Sequence, residues 1–365
     1  MSRIQVDPQQ AFKELAEFNR KMLKGSELLQ KTKGDAVQIA TTPKREVFRQ
    51  DKTVLYRYEP LTKRSVETPM LVVFGLVGRY TFIDLQEDRS LVRNLLGQGL
   101  DVYVVDWGTP TRGDRWLSLE DYIEGYLNEC VEFICRSNNI DAITLLGICE
   151  GGTFCVAYSA LKPERVRNLI LTITPIDFHP DTEDAPLHVG LINRWTRSMT
   201  PEDIDLLIEA NGNLPGDLMS FLFSMMAPVN NLTKYNVGLF DVMDDEAKLM
   251  NFLRMEKWLA DRPHHAGEAA RQWLKDLYQE NRLIKGDFEL SGRRVDLKNV
   301  GMPVLNVYAQ DDHIVPPKSA EALKDLVGTR DYTALPLPGG HIGVFVSGKS
   351  QGILGKGIAD WLQKR

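Results

Sequence analysis

The sequence has few cysteines and no long hydrophobic run. Only four cysteines occur among its 365 residues, and none stands in a Cys-x-x-Cys or Cys/His spacing typical of a zinc site. So few cysteines exclude a disulfide scaffold and favour a reducing cytosol. The start lacks the apolar core of a signal peptide, and no apolar run approaches the ~18–20 residues needed to cross a bilayer. We therefore expect no transmembrane segment, no metal and no resident cofactor.

An excess of basic charge is also missing. The chain carries 44 Lys and Arg against 50 Asp and Glu, a formal net charge of −6, so no basic face is expected for nucleic acid. Neither a Gly-x-x-x-x-Gly-Lys nor a Gly-x-Gly-x-x-Gly motif is present, which argues against nucleotide hydrolysis and dinucleotide chemistry. Hydrophobic residues make up 43% of the chain, enough to build a full core.

From residue 53, short apolar runs alternate with helical stretches, a pattern typical of βαβ units and a mostly parallel sheet. The predicted strands are Thr53–Tyr58, Met70–Phe74, Asp101–Val105, Ala142–Leu146, Val166–Ile173, Pro303–Tyr308 and Tyr332–Leu335. The predicted helices are Ser90–Leu96, Ser118–Cys135, Gly152–Leu161, Lys318–Leu326 and Gly352–Lys364. Ser118 and Asp121 are expected to cap the second of these helices.

Two regions fall outside this alternation. Residues 8–31 predict an amphipathic helix within an N-terminal arm, 1–40, which is either a solvent-covered arm or a lid and contact surface. Residues 176–295 are helical in character and predict a cap inserted into a catalytic core of residues 41–175 and 296–365. Within the cap, the apolar stretch Asp217–Val229 forms either its core or a channel or dimer surface.

The strongest local motif is Gly147-Ile148-Cys149-Glu150-Gly151, between a predicted strand and a predicted helix. It matches the Gly-x-nucleophile-x-Gly elbow of the α/β-hydrolase fold, with Cys149 in the place usually held by Ser. The sharp turn needs nearly bare positions two residues before and after the nucleophile, which Gly147 and Gly151 supply. The helix that follows directs its N-terminal N–H groups toward Cys149 and favours the thiolate. The alternative is a buried cysteine beside a glycine-rich turn, our interpretation for Cys130, Cys135 and Cys155.

A thiol nucleophile needs a general base, and the base needs a carboxylate to orient it. His341 follows Pro338-Gly339-Gly340, after a predicted strand and before the last helix, where an α/β-hydrolase carries its catalytic histidine. Surface or cap roles are expected for the histidines in or beside the insertion, His179, His188, His264 and His265.

The carboxylate is expected at the end of the preceding strand, where both Asp311 and Asp312 qualify by position. Spacing does not choose between them. Asp106 is a weaker rival for the acid, and His313 a weaker rival for the base. The order nucleophile, acid, histidine is the one this fold uses.

An oxyanion hole is expected to combine two backbone N–H groups. The first belongs to Glu150, directly after the nucleophile. The second comes from the loop after Met70–Phe74, where we select Val77 and note Gly78 beside it.

Six segments in the same order resemble the catalytic subunit of class III polyhydroxyalkanoate synthases, which belong to the α/β-hydrolase superfamily. They are Asp84–Ser90, Asp101–Gly108, Gly147–Gly152, Asn251–Trp258, Asp312–Pro317 and Pro338–Gly343. The resemblance runs from about residue 40 to the C-terminus. Class IV enzymes, which use a different partner subunit, share most of these motifs.

The resemblance implies polymerisation of (R)-3-hydroxyacyl-coenzyme A, chiefly 3-hydroxybutyryl-coenzyme A, with release of coenzyme A and a polyester held as a thioester on Cys149. It selects Asp312 as the acid that helps to activate the substrate hydroxyl, and His341 as the base for Cys149. It further implies a homodimer, a second non-catalytic subunit and a cytoplasmic location at the polymer granule surface.

The chain departs from the family pattern at Gly78, where an Asn is expected after Val77. Two other functions remain open on the residues alone. A cysteine hydrolase of the dienelactone hydrolase or thioesterase type would share the nucleophile, but the long helical cap is unexpected for it. A catalytically silent scaffold is disfavoured because Cys149, Asp312 and His341 are all present.

Overall fold

The computed structural model describes residues 7–32, 34–180, 186, 189–225 and 233–365. At its centre lies an eight-stranded sheet. Its strands are β1 Lys44–Gln50, β2 Thr53–Tyr58, β3 Met70–Val73, β6 Val102–Asp106, β7 Ile143–Ile148, β8 Val166–Thr172, β11 Val304–Ala309 and β12 Tyr332–Leu337. Two small hairpins add β4 Asp84–Gln86 with β5 Arg89–Ser90, and β9 Glu289–Leu290 with β10 Arg293–Arg294.

The sheet has the order β1-β2-β6-β3-β7-β8-β11-β12. The six strands from β6 to β12 run parallel, while β2 is antiparallel to both of its neighbours. Residues of β3 and β7 are buried throughout, as expected of central strands that helices cover on both faces. Parallel strands end at one edge of a sheet, so the loops after β3, β7, β11 and β12 meet there.

All seven strands predicted from the sequence are confirmed, with ends that differ by up to two residues. The prediction missed β1, the outer strand, whose sequence is Lys-Arg-Glu-Val-Phe-Arg-Gln. None of its residues is buried, and charged residues on an exposed edge strand hide the alternation that identifies a strand.

Helices cover both faces of the sheet and fill the segment between β8 and β11. The α-helices are α1 Pro8–Lys31, α2 Leu91–Gly97, α3 Asn128–Asn138, α4 Glu150–Leu161, α5 Leu191–Ser198, α6 Pro201–Asn211, α7 Gly216–Met225, α8 Leu239–Val242, α9 Glu246–Ala260, α10 Gly267–Gln272, α11 Arg282–Lys285, α12 Pro317–Glu321, α13 Leu323–Leu326, α14 Gly343–Val346 and α15 Gly348–Leu362. π-Helical turns occupy Asp121–Leu127, Lys234–Gly238 and Trp273–Gln279. Short 3-10 turns occupy Gly34–Ala36, Tyr80–Ile83, Arg112–Asp114, Pro163–Arg165 and Leu297–Asn299.

The five helices predicted after residue 89 all exist. Ser118–Cys135 comprises the π-helical turn Asp121–Leu127 and most of α3. Its cap is confirmed, because the Ser118 N–H donates to Asp121 Oδ2 at 2.8 Å and the Asp121 N–H donates to Ser118 Oγ at 3.3 Å. The prediction Lys318–Leu326 is divided into α12 and α13.

The segment between β8 and β11 adds no strand to the main sheet within its described residues. It consists of α5 to α11 with their connecting turns and the hairpin β9–β10. In the predicted apolar stretch, Met219 is buried in α7, whereas Phe221 and Met225 are exposed. His188 and residues 226–229 lie outside the described residues. The division into arm, core and cap stays a prediction.

The helix α1 has the bounds expected from the sequence, and Asp7 caps it. Its Phe18 ring stacks on Phe240 with centroids 4.9 Å apart, and Lys21 lies 3.6 Å from Asp244. Phe12 and Leu23 are nevertheless about three-quarters exposed, at 73% and 74%. The arm thus contacts the segment around α8 while much of its apolar surface faces solvent. Among the described residues, no helix is both long and apolar enough to span a membrane.

Candidate active site

Cys149 stands between β7 and α4 in a strained backbone conformation. Its φ of 52° and ψ of −125° lie in a region that side-chain-bearing residues rarely adopt. The Cys149 N–H donates to the carbonyl of Thr172 at 3.0 Å, and the Cys149 carbonyl accepts from Gly152 N–H at 2.9 Å. Cys149 is partly exposed, while Cys130, Cys135 and Cys155 are buried, as predicted. The geometry is that of a nucleophile elbow.

The glycines of the motif allow the turn to close. A Cβ on Gly151 would collide with the carbonyl oxygen of Val73 and lie 2.7 Å from the carbonyl carbon of Phe74. A Cβ on Gly147 would overlap the Cα of Gly152. Both collisions involve backbone atoms, which cannot rotate away. The bare positions therefore let α4 approach β3 and β7 closely.

His341 and Asp312 meet although they follow different strands. His341 Nδ1 lies 2.8 Å from Asp312 Oδ2, and because a carboxylate only accepts, Nδ1 carries the proton. Asp312 Oδ1 accepts from the N–H groups of Ile314 and Val315, both at 2.9 Å. Asp312 is 4% exposed and His341 is 7% exposed. The carboxylate is thus fixed by three donors and holds the imidazole in one orientation.

The charges around His341 favour its protonated form. Burial alone would lower the pKa of His341, but the charges of Asp312 and Cys149, together with the hydrogen bond that His341 donates to Asp312, raise it to about 10. Cys149 and His341 line the same cavity, so the predicted nucleophile and the predicted base belong to one site. His341 is therefore protonated in the resting site at neutral pH.

The rival residues have other partners. Asp311 Oδ2 accepts from Gly339 N–H at 3.3 Å and is exposed, which leaves the orienting role to Asp312. Asp106 Oδ1 accepts from Gly108 N–H at 3.0 Å within its own turn. His313 lines the same cavity as Cys149, and its backbone carbonyl accepts from Gly190. His341 has a carboxylate that can orient a base, Asp312.

The loop after β3 has an unexpected partner. The Val77 N–H, which we selected as the second oxyanion donor, donates to Glu150 Oε2 at 3.1 Å, and the Leu76 N–H donates to the same oxygen at 2.7 Å. Glu150 Oε1 lies 2.8 Å from Nε2 of His265. The role of the Glu150 backbone N–H as first donor stays a prediction, as does that of Val77.

Sequence reasoning missed the side chain of Glu150 and the position of His265. His265 is only 1% exposed, which excludes the surface role among the surface and cap roles expected for it, and the cap role stays a prediction. The available signal was that Glu150 is the sole charged residue of α4, a helix buried along almost its whole length. A lone carboxylate in such a helix requires partners.

Cys149 and His341 open into a cavity of about 530 Å³. Its walls come from the ends of the sheet strands on one side and from the segment between β8 and β11 on the other. The lining is mostly apolar, and its large side chains include Phe82, Trp195, Phe223, Trp258, Trp273 and Tyr278. This volume is in the usual range for small-molecule sites. Polar and charged groups line it at two places, beside Cys149 and His341 and on the segment between β8 and β11, where Lys234, Glu256 and Arg262 stand.

Comparisons with known proteins agree with this geometry. Residues 68–347 match a model for the alpha/beta hydrolase fold, and residues 10–95 match that of the poly-beta-hydroxybutyrate polymerase (PhaC) N-terminus. A thermophilic esterase from Thermogutta terrifontis superimposes with a TM-score of 0.51 at 15% identity, over 88% of this chain and 98% of that one, which supports the fold alone.

Two relatives are similar over their whole length. The poly(3-hydroxyalkanoate) polymerase subunit PhaC of Synechocystis sp. is 47% identical over 362 residues, which cover 99% of this chain and 95% of the relative. The subunit of the same name from Allochromatium vinosum is 42% identical over 368 residues, covering 100% of both. This chain therefore belongs to the poly(3-hydroxyalkanoate) polymerase subunit PhaC family, within the α/β-hydrolase fold.

Proposed function

We propose that the protein polymerises (R)-3-hydroxyacyl-coenzyme A, chiefly the 3-hydroxybutyryl thioester, into polyhydroxyalkanoate with release of coenzyme A. The observation that carries the proposal is a cysteine on a nucleophile elbow, which shares a cavity with the Asp312-bound His341, in a chain of the PhaC family. The thioester is the substrate, and no resident cofactor is part of the proposal.

The first step is a thioester exchange. The Cys149 thiolate attacks the thioester carbonyl, the bond from the acyl carbon to the coenzyme A sulfur breaks, and an acyl thioester forms on Cys149. The His341 imidazolium, held by Asp312, donates its proton to the departing thiolate. Thiolate replaces thiolate, so the exchange is close to thermoneutral and the new thioester keeps its reactivity toward an alcohol.

Elongation joins a hydroxyl oxygen to a thioester carbonyl, forms an ester bond and releases a thiol. The hydroxyl proton must be removed, and an alcohol is a far weaker acid than a thiol. Asp312 has both oxygens engaged by His341 and by two backbone N–H groups, so it acts on the hydroxyl through His341. By raising the pKa of His341, Asp312 makes the imidazole a stronger base for this proton.

The second candidate is a cysteine hydrolase, in which water attacks the acyl thioester in place of a substrate hydroxyl. It is distinguished by the release of free hydroxy acid. The apolar lining of the cavity supports the polymerase, because a wall of aromatic side chains disfavours water and suits an aliphatic polyester.

The test uses purified protein and (R)-3-hydroxybutyryl-coenzyme A. We expect coenzyme A release, followed with a thiol reagent, together with polymer that sediments and yields crotonic acid on acid digestion. Cys149→Ala is expected to abolish both, and His341→Gln to reduce both nearly to background. Coenzyme A release with only free hydroxybutyrate would establish the hydrolase, and equal activity in Cys149→Ala would overturn the covalent mechanism.

The assembly is part of the same proposal. We propose a homodimer that works with a second, non-catalytic subunit at the surface of polymer granules in the cytoplasm, as class III synthases do. The relatives are named as polymerase subunits, which supports a partner. Co-purification of this chain with a second polypeptide from its source cells, and a gain in polymerisation rate on mixing the two, would support the class III assignment.

A further inference from the structure

Glu150 is a buried carboxylate whose side-chain hydrogen bonds all join it to residues outside its own helix, α4. It is 1% exposed, and burying a carboxylate is unfavourable unless donors replace its water. Oε2 accepts from the N–H groups of Leu76 and Val77, at 2.7 and 3.1 Å, in the loop after β3. Oε1 accepts from His265 Nε2 at 2.8 Å, which fixes the proton on that nitrogen because a carboxylate cannot donate.

His265 belongs to the turn between α9 and α10, and its backbone is held on both sides. Its N–H donates to the Leu214 carbonyl at 3.0 Å, and its carbonyl accepts from Leu214 N–H at 2.9 Å. The imidazole therefore extends from a fixed point of the segment between β8 and β11. It crosses to the first residue of α4, directly beside the nucleophile.

The same turn and the last part of α9 contact the loop after β3 at further points. Arg262 Nη1 donates to the Val77 carbonyl at 2.7 Å, and Trp258 Nε1 donates to the Arg79 carbonyl at 3.2 Å. Residues 75–79, which we call the β3 loop, are thus hydrogen-bonded on one side to Glu150 and on the other to side chains of residues 258–265. The fit at Gly75 is close, since a Cβ there would lie 2.7 Å from Glu150 Oε2.

We propose that Glu150 and His265 are positioning residues that hold the β3 loop where an oxyanion forming on the thioester carbonyl meets its second N–H donor. This inference rests on the proposed function. The shorter bond, from Leu76, anchors the loop, while the longer bond from Val77 is the one that an oxyanion shares. His265 lies between α9 and α10, within the segment between β8 and β11. The position of the β3 loop therefore depends on where that segment lies.

The kinetic test compares deletions with substitutions that keep the hydrogen bonds. Glu150→Ala and His265→Ala are expected to lower kcat for coenzyme A release about 10- to 100-fold with KM within about two-fold, since oxyanion contacts act in the transition state. Glu150→Gln keeps an acceptor oxygen and His265→Gln keeps an amide donor, so each is expected to retain kcat within about five-fold of the wild type.

His264→Ala is the matched control. His264 stands next to His265, and its Nδ1 accepts from Gly216 N–H at 3.1 Å rather than from the β3 loop. We expect kcat and KM of this variant within about two-fold of the wild type, as for substitutions away from the transition state.

A second readout separates loop positioning from damage to the nucleophile. Alkylation of Cys149 by iodoacetamide depends on the thiolate and His341 but needs no oxyanion hole. Glu150→Ala and His265→Ala should therefore be alkylated at the wild-type rate while coenzyme A release falls. Alkylation that falls in the same proportion, a loss confined to KM, or an equal loss in His264→Ala would each overturn the proposal.

Should Glu150→Ala fail to fold, the contrast between His265→Ala and His265→Gln decides alone, and equal kcat in the two would overturn the proposal. A wild-type protein that releases no coenzyme A would overturn both this inference and the proposed function. An active wild type with unaffected variants would overturn this inference only.

Discussion

His341 Nδ1 donates to Asp312 Oδ2 across 2.8 Å, from the loops after two neighbouring parallel strands. The register explains the meeting, because Ala309 at the end of β11 is level with Leu337 at the end of β12. Each loop then needs only three or four further residues to bring its side chain to the shared edge. The acid and the base are therefore aligned by the sheet, and Cys149 at the end of β7 by the same sheet.

Asp312→Asn is expected to slow elongation more than the first acylation. The first step needs only a thiol deprotonated, whereas elongation needs the proton of an alcohol, for which the strength of the base matters more. Without the carboxylate charge the His341 pKa falls and the imidazole becomes a weaker base. We expect about 10²–10⁴-fold slower polymer growth, the usual worth of general base catalysis, with a smaller loss in the first turnover.

Rapid-quench measurement of the first coenzyme A released, beside the steady-state rate, checks this. Asp311→Asn is the matched control, since Asp311 is exposed and its side chain accepts from the Gly339 N–H rather than from His341. Equal slowing of both phases in Asp312→Asn would contradict the idea that base strength limits elongation.

The stability of the fold should depend on pH through His341. Its folded-state pKa of about 10 lies above the ordinary 6.5, so between these pH values His341 holds a proton in the folded protein that it lacks in the unfolded chain. The resulting stabilisation is complete below about pH 6.5 and is lost as the pH rises toward 10. Asp312→Asn removes the largest cause that raises this pKa.

Urea unfolding of the wild type and of Asp312→Asn across pH 6 to 10 measures the effect. The difference in free energy of unfolding should be greatest at the acid end and should shrink toward pH 10. The Asp311→Asn variant should show no such trend. A difference that grows with pH would mean that His341 is neutral in the folded protein.

Cys149 is expected to be the thiol that reacts in the native protein. Burial raises the pKa of Cys130 to about 12 and also raises the pKa of Cys135 and Cys155. Iodoacetamide should therefore label one site per chain, identified by peptide mass spectrometry as Cys149. Labelling of the Cys149→Ala variant before denaturation would show that another cysteine is accessible.

Those features that depend on local sequence were predictable. The strand β7 and the elbow after it combine a buried apolar run, two glycines and a nucleophile within ten residues, and α/β alternation gives the parallel sheet. Asp312 and His341 followed from their places after strands, but the choice between Asp311 and Asp312 required the resemblance to the family. The structure supports that choice through three donors to one carboxylate.

The contacts of Glu150 were not predictable in the same way. Its partner His265 is 115 residues away in the chain, and no periodicity or motif links the two positions. The engagement of the Val77 N–H by Glu150 depends on how closely the β3 loop approaches α4, a packing distance that the sequence does not encode locally. Contacts of this kind depend on tertiary packing between distant parts of the chain, whereas the elbow depends on a turn of neighbouring residues.

The close packing around the elbow leads to a last prediction, for the variant Gly151→Ala. A methyl group at Gly151 would press on the backbone of Val73 and Phe74, so the elbow or β3 must shift. We expect a loss of about 1–3 kcal/mol in the free energy of unfolding, with reduced coenzyme A release. Gly352→Ala in α15 is the matched control, since its Cβ would meet nothing within 4 Å, and a gain of about 0.5–1 kcal/mol is expected. Chemical denaturation of both variants checks the contrast, and equal stability would show that the elbow tolerates a side chain at this position.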